Sequence, residues 1–335
     1  MTRFLTLLLP VCALVAQTPV VGDINYYGLH KVSAEKIAGS AKLKSGMPIP
    51  PSKGDLEDGI AEIPGVVLAR VEAVCCEGPA ATLFIGIEEK GAAHPAFHSP
   101  PSGEAVLPVD MVEAYQKFLA ALEKAARRGS AAEDLTAGHS LIADQDVRAF
   151  QHQFLTFAAE RLELLRNVLR NSADADQRAM AAALIGYAAR KQDVLNDLQY
   201  AVQDADESVR VNAIRGLKAI GVLAAKQPNL GIRISPTWFI EMLNSVVLSD
   251  RMESTSALLT LTDRANPGAA DQIRERAMPA LAEMARWKTP AYALPSYLLL
   301  GRVAGIPDEQ IQASWAKGDR EAIIARALAE PAKKR

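Results

Sequence analysis

Between residues 193 and 221 one helical stripe of apolar residues gives way to another across a turn full of acids. Leu195, Leu198 and Val202 fall on one helical face. After the turn, Val209, Ala213, Leu217 and Ile220 form a matching stripe. Upstream, Leu165, Val168 and Leu169 precede Leu198, Ala201 and Val202 by 33 residues, and Ala181, Ala182 and Ile185 precede Ala213, Ile214 and Leu217 by 32. Arg178 likewise stands 32 before Arg210. Downstream, Leu243, Val246 and Val247 lie 45 after the first-helix positions, and Ala257, Leu258 and Leu261 lie 44 after the second-helix positions. The longer spacing reflects an insertion around "AAKQPNLGIRISP", and in this register Ser254 takes the place of Arg210. A fourth, less regular unit is expected in "RERAMPALAEMARWKTPAYALPSYLLLG". One such hairpin cannot bury both its faces, so about three or more must stack.

Ahead of these units the pattern predicts a helix from residue 109 to 129, then a long helix from about 144 to 170 that carries Phe150, Phe154, Phe157, Leu162 and Leu165. The closing "PDEQIQASWAKGDREAIIARALAE" reads as one or two capping helices. Residues 20–90 differ in kind, reading strand, helix, helix, strand, strand. Ile24 and Tyr26 share one face of the first strand. Leu56, Ile60 and Ile63 share one face of the second helix, and Leu83, Ile85 and Ile87 point one way in the last strand. Between the two regions, residues 91–108 hold four prolines and no periodicity, the composition of a linker. The expected fold is therefore mostly α: stacked helix pairs over residues 109–330, preceded by a small α/β domain.

The segment "DADESVRVNAIRGL" resembles HEAT repeats, with Asp204, Asp206, Val209, Arg210, Ala213 and Leu217 at that family's usual positions. The resemblance implies an α-solenoid that presents a surface to other proteins. The spacing of Trp, Gly, Tyr and Pro that marks tetratricopeptide repeats is missing. In the front domain, "INYYG", "LKSG", "IPGV" and "IGIEE" resemble a POTRA domain, the periplasmic module found ahead of outer-membrane β-barrel assembly and secretion proteins. That resemblance implies binding of polypeptides by strand addition at a sheet edge. The prolines at 48–51, the Cys75-Cys76 pair and Gly86 inside the last strand depart from the pattern, and no barrel sequence follows.

Composition narrows the function. Of 335 residues, 49% are hydrophobic and 23% charged, the balance of a globular protein. Aromatics at 5% suit closely packed small helices better than a deep cofactor pocket. A net charge of −2 supplies no basic field for nucleic acid or an anionic membrane. The opening "MTRFLTLLLPVCALVAQ" reads as a secretory signal over residues 1–17, its apolar run being too short to span a bilayer. An exported protein of a bacterial cell envelope, periplasmic or secreted, is expected. With Cys12 inside that signal, Cys75 and Cys76 remain, either as a strained vicinal disulfide or as one buried and one surface thiol.

The sequence offers no nucleophile elbow, no phosphate-binding loop and no HExxH helix. His94 and His98 stand four apart, but Pro95 denies them a shared helical face, so they read as solvated linker histidines. His139 and His152 lack partners in the sequence. No metal, cofactor or catalytic residue is expected. Asp204, Asp206, Arg178 and Arg210 read as ties between repeats, by a carboxylate–guanidinium ladder. Gln199, Gln203, Asn212 and Arg215 are the candidate partner surface. The leading reading is a non-catalytic adaptor that binds proteins. Its rivals are a HEAT-like lyase or cofactor-handling protein using a groove between repeats, and a structural subunit that associates with itself.

Overall fold

A computed structural model describes residues 19–77, 80–262 and 268–329. The signal assigned to residues 1–17 therefore lies outside the described residues. The front of the chain forms strand β1 (Val20–Tyr27), helices α1 (Ala34–Ser40) and α2 (Lys53–Ala61), and strands β2 (Val66–Glu77) and β3 (Ala80–Glu89). Ser33 and Ser52 cap the two helices, each accepting from a backbone N–H in the first turn. The sheet has the order β1-β3-β2, with β1 parallel to β3 and β2 antiparallel to it. Leu83, Ile85 and Ile87 pack with Ile37, Ile60, Ala69 and Val71 into a core beneath the helices. The Glu89 carboxylate accepts N–H bonds from His30, Lys31 and Val32 and fixes the turn between β1 and α1. Cys75 is disulfide-bonded, so it is not the free thiol of the alternative reading.

Helices make up the rest: α3 (Val109–Arg127), α4 (Gln145–Glu160), α5 (Leu162–Asn171), α6 (Ala175–Ile185), α7 (Lys191–Ala201), α8 (Glu207–Lys226), α9 (Thr237–Met242), α10 (Leu248–Thr260), α11 (Ala269–Arg276), α12 (Met278–Ala285), α13 (Pro290–Val303), α14 (Asp308–Ala316) and α15 (Arg320–Ala329). The pairs α5/α6, α7/α8, α9/α10 and α12/α13 are the stacked units, their second helices packing in the order α6, α8, α10, α13. This is an α-solenoid. A single core runs through it, from Phe154 and Leu165 at one end to Ile311 and Ile324 at the other.

Three expectations need correction. The long helix of residues 144–170 is two helices, broken at Arg161 (φ −129°, ψ 28°) without a glycine or proline. Arg161 ion-pairs with Asp110 and lies over the Phe157 ring, contacts that residue spacing does not reveal. A two-residue-per-strand hairpin, β4 (Glu133–Asp134) with β5 (Leu141–Ile142), stands in the expected loop before α4. In the third unit the register moves by three residues. Val247 holds the N-cap position of α10 as Asp206 holds that of α8, though without a side-chain bond, so Arg251, not Ser254, is the counterpart of Arg210. Sliding a helical pattern by three or four positions keeps the same face buried, so apolar periodicity alone could not set the register.

The front sheet does not stand apart from the solenoid. Its second face, with Tyr27 and Phe84, belongs to the solenoid core. The Phe84 ring meets Trp287 edge-on at 5.0 Å and Tyr292 at 4.8 Å, and Tyr27 lies 5.7 Å from Trp287. The Tyr27 hydroxyl donates to Val246 O at 3.0 Å. Here Gly86 finds its reason: a Cβ there would lie 2.3 Å from Val246 O and 2.5 Å from the Tyr27 ring. Only a residue without a side chain lets the strand, the ring and the repeat backbone meet.

Residues 91–108 are likewise attached. Phe97 covers the Arg210 guanidinium at 4.1 Å, and His98 stacks on Tyr200 at 4.4 Å while its backbone N–H donates to Gln203 O. Further on, Ala173 N donates to Gly103 O, and Leu107 N to the Gln177 side chain. The expected solvated linker is a strap that runs back along the repeat turns. His98 is accordingly packed, whereas His94 stays exposed.

Candidate functional site: a groove walled by α3 and the repeat helices

The charges of the repeat turns are paired with one another. Arg178 reaches Asp204 of the next unit through two parallel bonds of 2.9 and 2.8 Å, both partners being almost fully buried. Its remaining nitrogen donates to Ser172 O and Ala173 O. Arg210 repeats the arrangement with Asp250, again at 2.9 and 2.8 Å, and donates to Asp204 O and Ala205 O. Ser245 supplies Asp250 with a further bond at 2.7 Å. Arg251 makes the third rung, donating to Ser245 O and meeting Glu283 at 3.3 Å. The Glu283 carboxylate also accepts from Gly28 N at 2.9 Å and Leu29 N at 3.3 Å, so this rung joins the front domain to the repeats. Burial pulls the Arg251 guanidinium pKa down, with Glu283 opposing it. Asp206 takes no part in the ladder: it caps α8 by accepting from Ser208 N and Val209 N. Arg178, Asp204, Arg210 and Asp250 are saturated by one another and by backbone carbonyls, whereas Arg251 and Glu283 also line a cavity of about 220 Å³ against the front domain.

The open site lies on the other side of the second helices. A half-open cavity of about 160 Å³ is bordered by α3, α4, the β4–β5 hairpin, α6 and α8. Tyr115, Phe118, Phe154 and Tyr187 give it aromatic walls, their rings meeting at 5.2 to 6.0 Å. Polar groups converge on it from one side. The Asn212 amide nitrogen donates to Ala179 O at 2.9 Å and the Tyr115 hydroxyl at 3.3 Å, which leaves its carbonyl oxygen as an acceptor. His139 lies 5.4 Å from the Tyr187 ring. The Lys191 ammonium, buried behind it, donates to Gly186 O at 2.9 Å and to His139 Nδ1 at 3.3 Å. Receiving a hydrogen bond at Nδ1, the neutral imidazole carries its proton on Nε2. Burial, then the Lys191 charge, lower His139 to about 4. Burial also lowers Lys191 to about 8.

Next to this cavity, and sharing Tyr115, Leu119 and Asn212 with it, is a wider groove of about 570 Å³. Asp176 and Glu207 line the groove, and no cationic side chain does. Glu207 is engaged by the Ser249 hydroxyl.

The four candidate surface residues do not share a face. Asn212 and Arg215 line the aromatic cavity, with Arg215 paired to Glu253 at 2.8 Å. Gln203 lies under the strap, and Gln199 is on α7 among the first helices. Tyr115, Tyr187, His139 and Lys191 were not singled out as a group. Their meeting depends on α3 and a short hairpin folding over the repeats, which no local spacing signals. Among the described residues no cluster of His, Cys, Asp and Glu is arranged to hold a metal ion.

Comparison with known families supports the repeat assignment. The profile of a family described as HEAT repeats matches residues 162–230, the segment spanning α5 to α8. No curated protein matches the chain. Repeats of this kind generally mediate protein–protein interaction, and no helix among the described residues is long and apolar enough to cross a membrane.

Proposed function

We propose that this protein is a non-catalytic scaffold of the bacterial cell envelope that binds polypeptides on the face formed by α6, α8 and α3. One observation carries the reading. The front sheet and the strap occupy the turn side of the repeats, while the groove over α6 and α8 stays open, with unspent hydrogen-bonding groups in it. The buried arginine ladder holds the units in a fixed register, so this surface is preorganised.

Two further elements support the envelope setting. The opening apolar run reads as a secretory signal, and the strand-helix-helix-strand-strand order with β3 central suits the POTRA resemblance. In that resemblance partners add to a sheet edge. The β1 edge is taken by the chain itself, through Val21, Gly46 and Met47. On β2, Val71 N is capped by Glu57 at 2.7 Å, which leaves the stretch beyond Val71 for a partner strand.

The rival reading, an enzyme or cofactor-handling protein, draws on Lys191 and His139 beside the aromatic cavity, since a lysine titrating near 8 is a familiar catalytic device. Lys191 is buried and already donates to Gly186 O and His139, which favours a structural duty. Fractionation and in-cell crosslinking of the tagged protein test the proposal. A polypeptide partner recovered from the envelope fraction is expected. Cytosolic location, self-contacts alone or a co-purifying small molecule would overturn it.

A further inference from the structure

The aromatic cavity and the acidic groove are neighbours of different character, and together they describe an occupant. The cavity's volume of about 160 Å³ is close to that of an engineered cavity that accepts benzene, roughly 150 Å³. It therefore has room for one aromatic ring and little more. Four rings line it beside Leu119, Leu122 and Ile142, and their faces and edges favour a ring over a branched aliphatic group. The groove is too wide for one side chain and is lined by two carboxylates with no cation to answer them. Asn212 stands where the two spaces meet, its carbonyl oxygen free to accept a backbone N–H.

We propose that this site takes a polypeptide segment with an aromatic side chain seated among Tyr115, Phe118, Phe154 and Tyr187, and with Lys or Arg beside it facing Asp176 and Glu207. The inference rests on the scaffold reading and deepens it. The cavity is not a product of the repeat pattern: α3 and α4, which lie outside the matched repeats, supply three of its four aromatic side chains, Tyr115, Phe118 and Phe154. Loose solvated acids could not select a partner alone, because exposed ion pairs contribute little. The ring supplies the affinity, and the carboxylates set which segment enters and in which direction.

Calorimetric titration with the blocked peptide Gly-Lys-Phe-Arg-Gly tests this, beside versions with Ala for Phe and with Glu for both cations. Loss of the ring is expected to weaken binding by about thirtyfold, a typical anchor effect. Charge reversal is expected to weaken binding by less than loss of the ring, at low salt only, since high salt screens it. Ala183→Leu, which fills the cavity, should reproduce the loss of the ring. Asp176→Asn with Glu207→Gln, both exposed and away from the core, should remove the preference for cations while leaving the fold intact. Equal binding of the Phe and Ala peptides overturns the proposal. So does binding of p-cresol as tight as that of the peptide, which would make this a small-molecule site. If the peptides fail while a crosslinked envelope protein contacts other surfaces, this inference falls and the scaffold reading stands. If no polypeptide partner is found at all, both fall.

Discussion

At the residue scale the molecule is organised by arginines that are buried because they are fully answered. Arg210 is 2% exposed and Asp250 0%, yet each donor of the guanidinium facing the repeat boundary has an acceptor. Removing one member of such a pair strands a charge in the interior, at a typical cost of about 3–5 kcal/mol. Arg210→Ala is therefore predicted to lower unfolding free energy by that amount in urea titration. Replacing both partners, Arg210→Met with Asp250→Leu, should recover most of the loss. A double variant no better than the single one would mean that the rung does more than balance charge. His139 gives a second prediction. Its folded pKa of about 4 lies below the ordinary 6.5, so the unfolded chain takes the proton first. Its contribution to stability is present above pH 6.5 and is lost as pH falls through 4. Lys191 and His152 oppose its protonation, while Asp134 favours it. His139→Gln should flatten stability over that window, as measured by thermal melts from pH 4 to 7.

At the element scale much was legible in the sequence. The β-α-α-β-β order, the inward faces of β3 and the two best repeats follow from period-two and period-3.6 patterns that local burial imposes. What remained hidden involves contacts between distant segments. Gly86 looked like a defect in a strand until the approach of Val246 explained it. The break at Arg161 and the register of α10 were hidden for a related reason, since neither is marked by a breaker or a unique apolar position. The groove was half legible: Asn212 and Arg215 lay on the right helix face, but their aromatic neighbours come from α3, α4 and the turn after α6. Two glycines test the docking of β3. Gly86→Val is predicted to separate the front sheet from the repeats, seen as a lower melting temperature and rapid proteolysis within residues 91–108. Gly59→Ala, whose Cβ would meet nothing within 4 Å on an exposed helical face, should be neutral or stabilising by up to about 1 kcal/mol. Equal effects of the two would contradict the close-approach argument.

At the scale of the whole molecule the chain folds back on itself as a clasp. The front sheet docks on the third and fourth units, the strap returns along the turns, and α3 then covers the first. Trp287, Tyr27 and Phe84 each bury a ring at this joint, and burial of about 150–250 Å² per ring makes it part of the core. Under the proposed function, partners are left with the second-helix face and the β2 edge of the front sheet. A photocrosslinking benzophenone residue in place of Arg215, beside the cavity, tests this most directly, with the exposed Gln192 on α7 as the control position. The account predicts a discrete polypeptide adduct from position 215 in cells, suppressed by Ala183→Leu, and none from position 192. Adducts from both positions alike, or none from position 215, would contradict it.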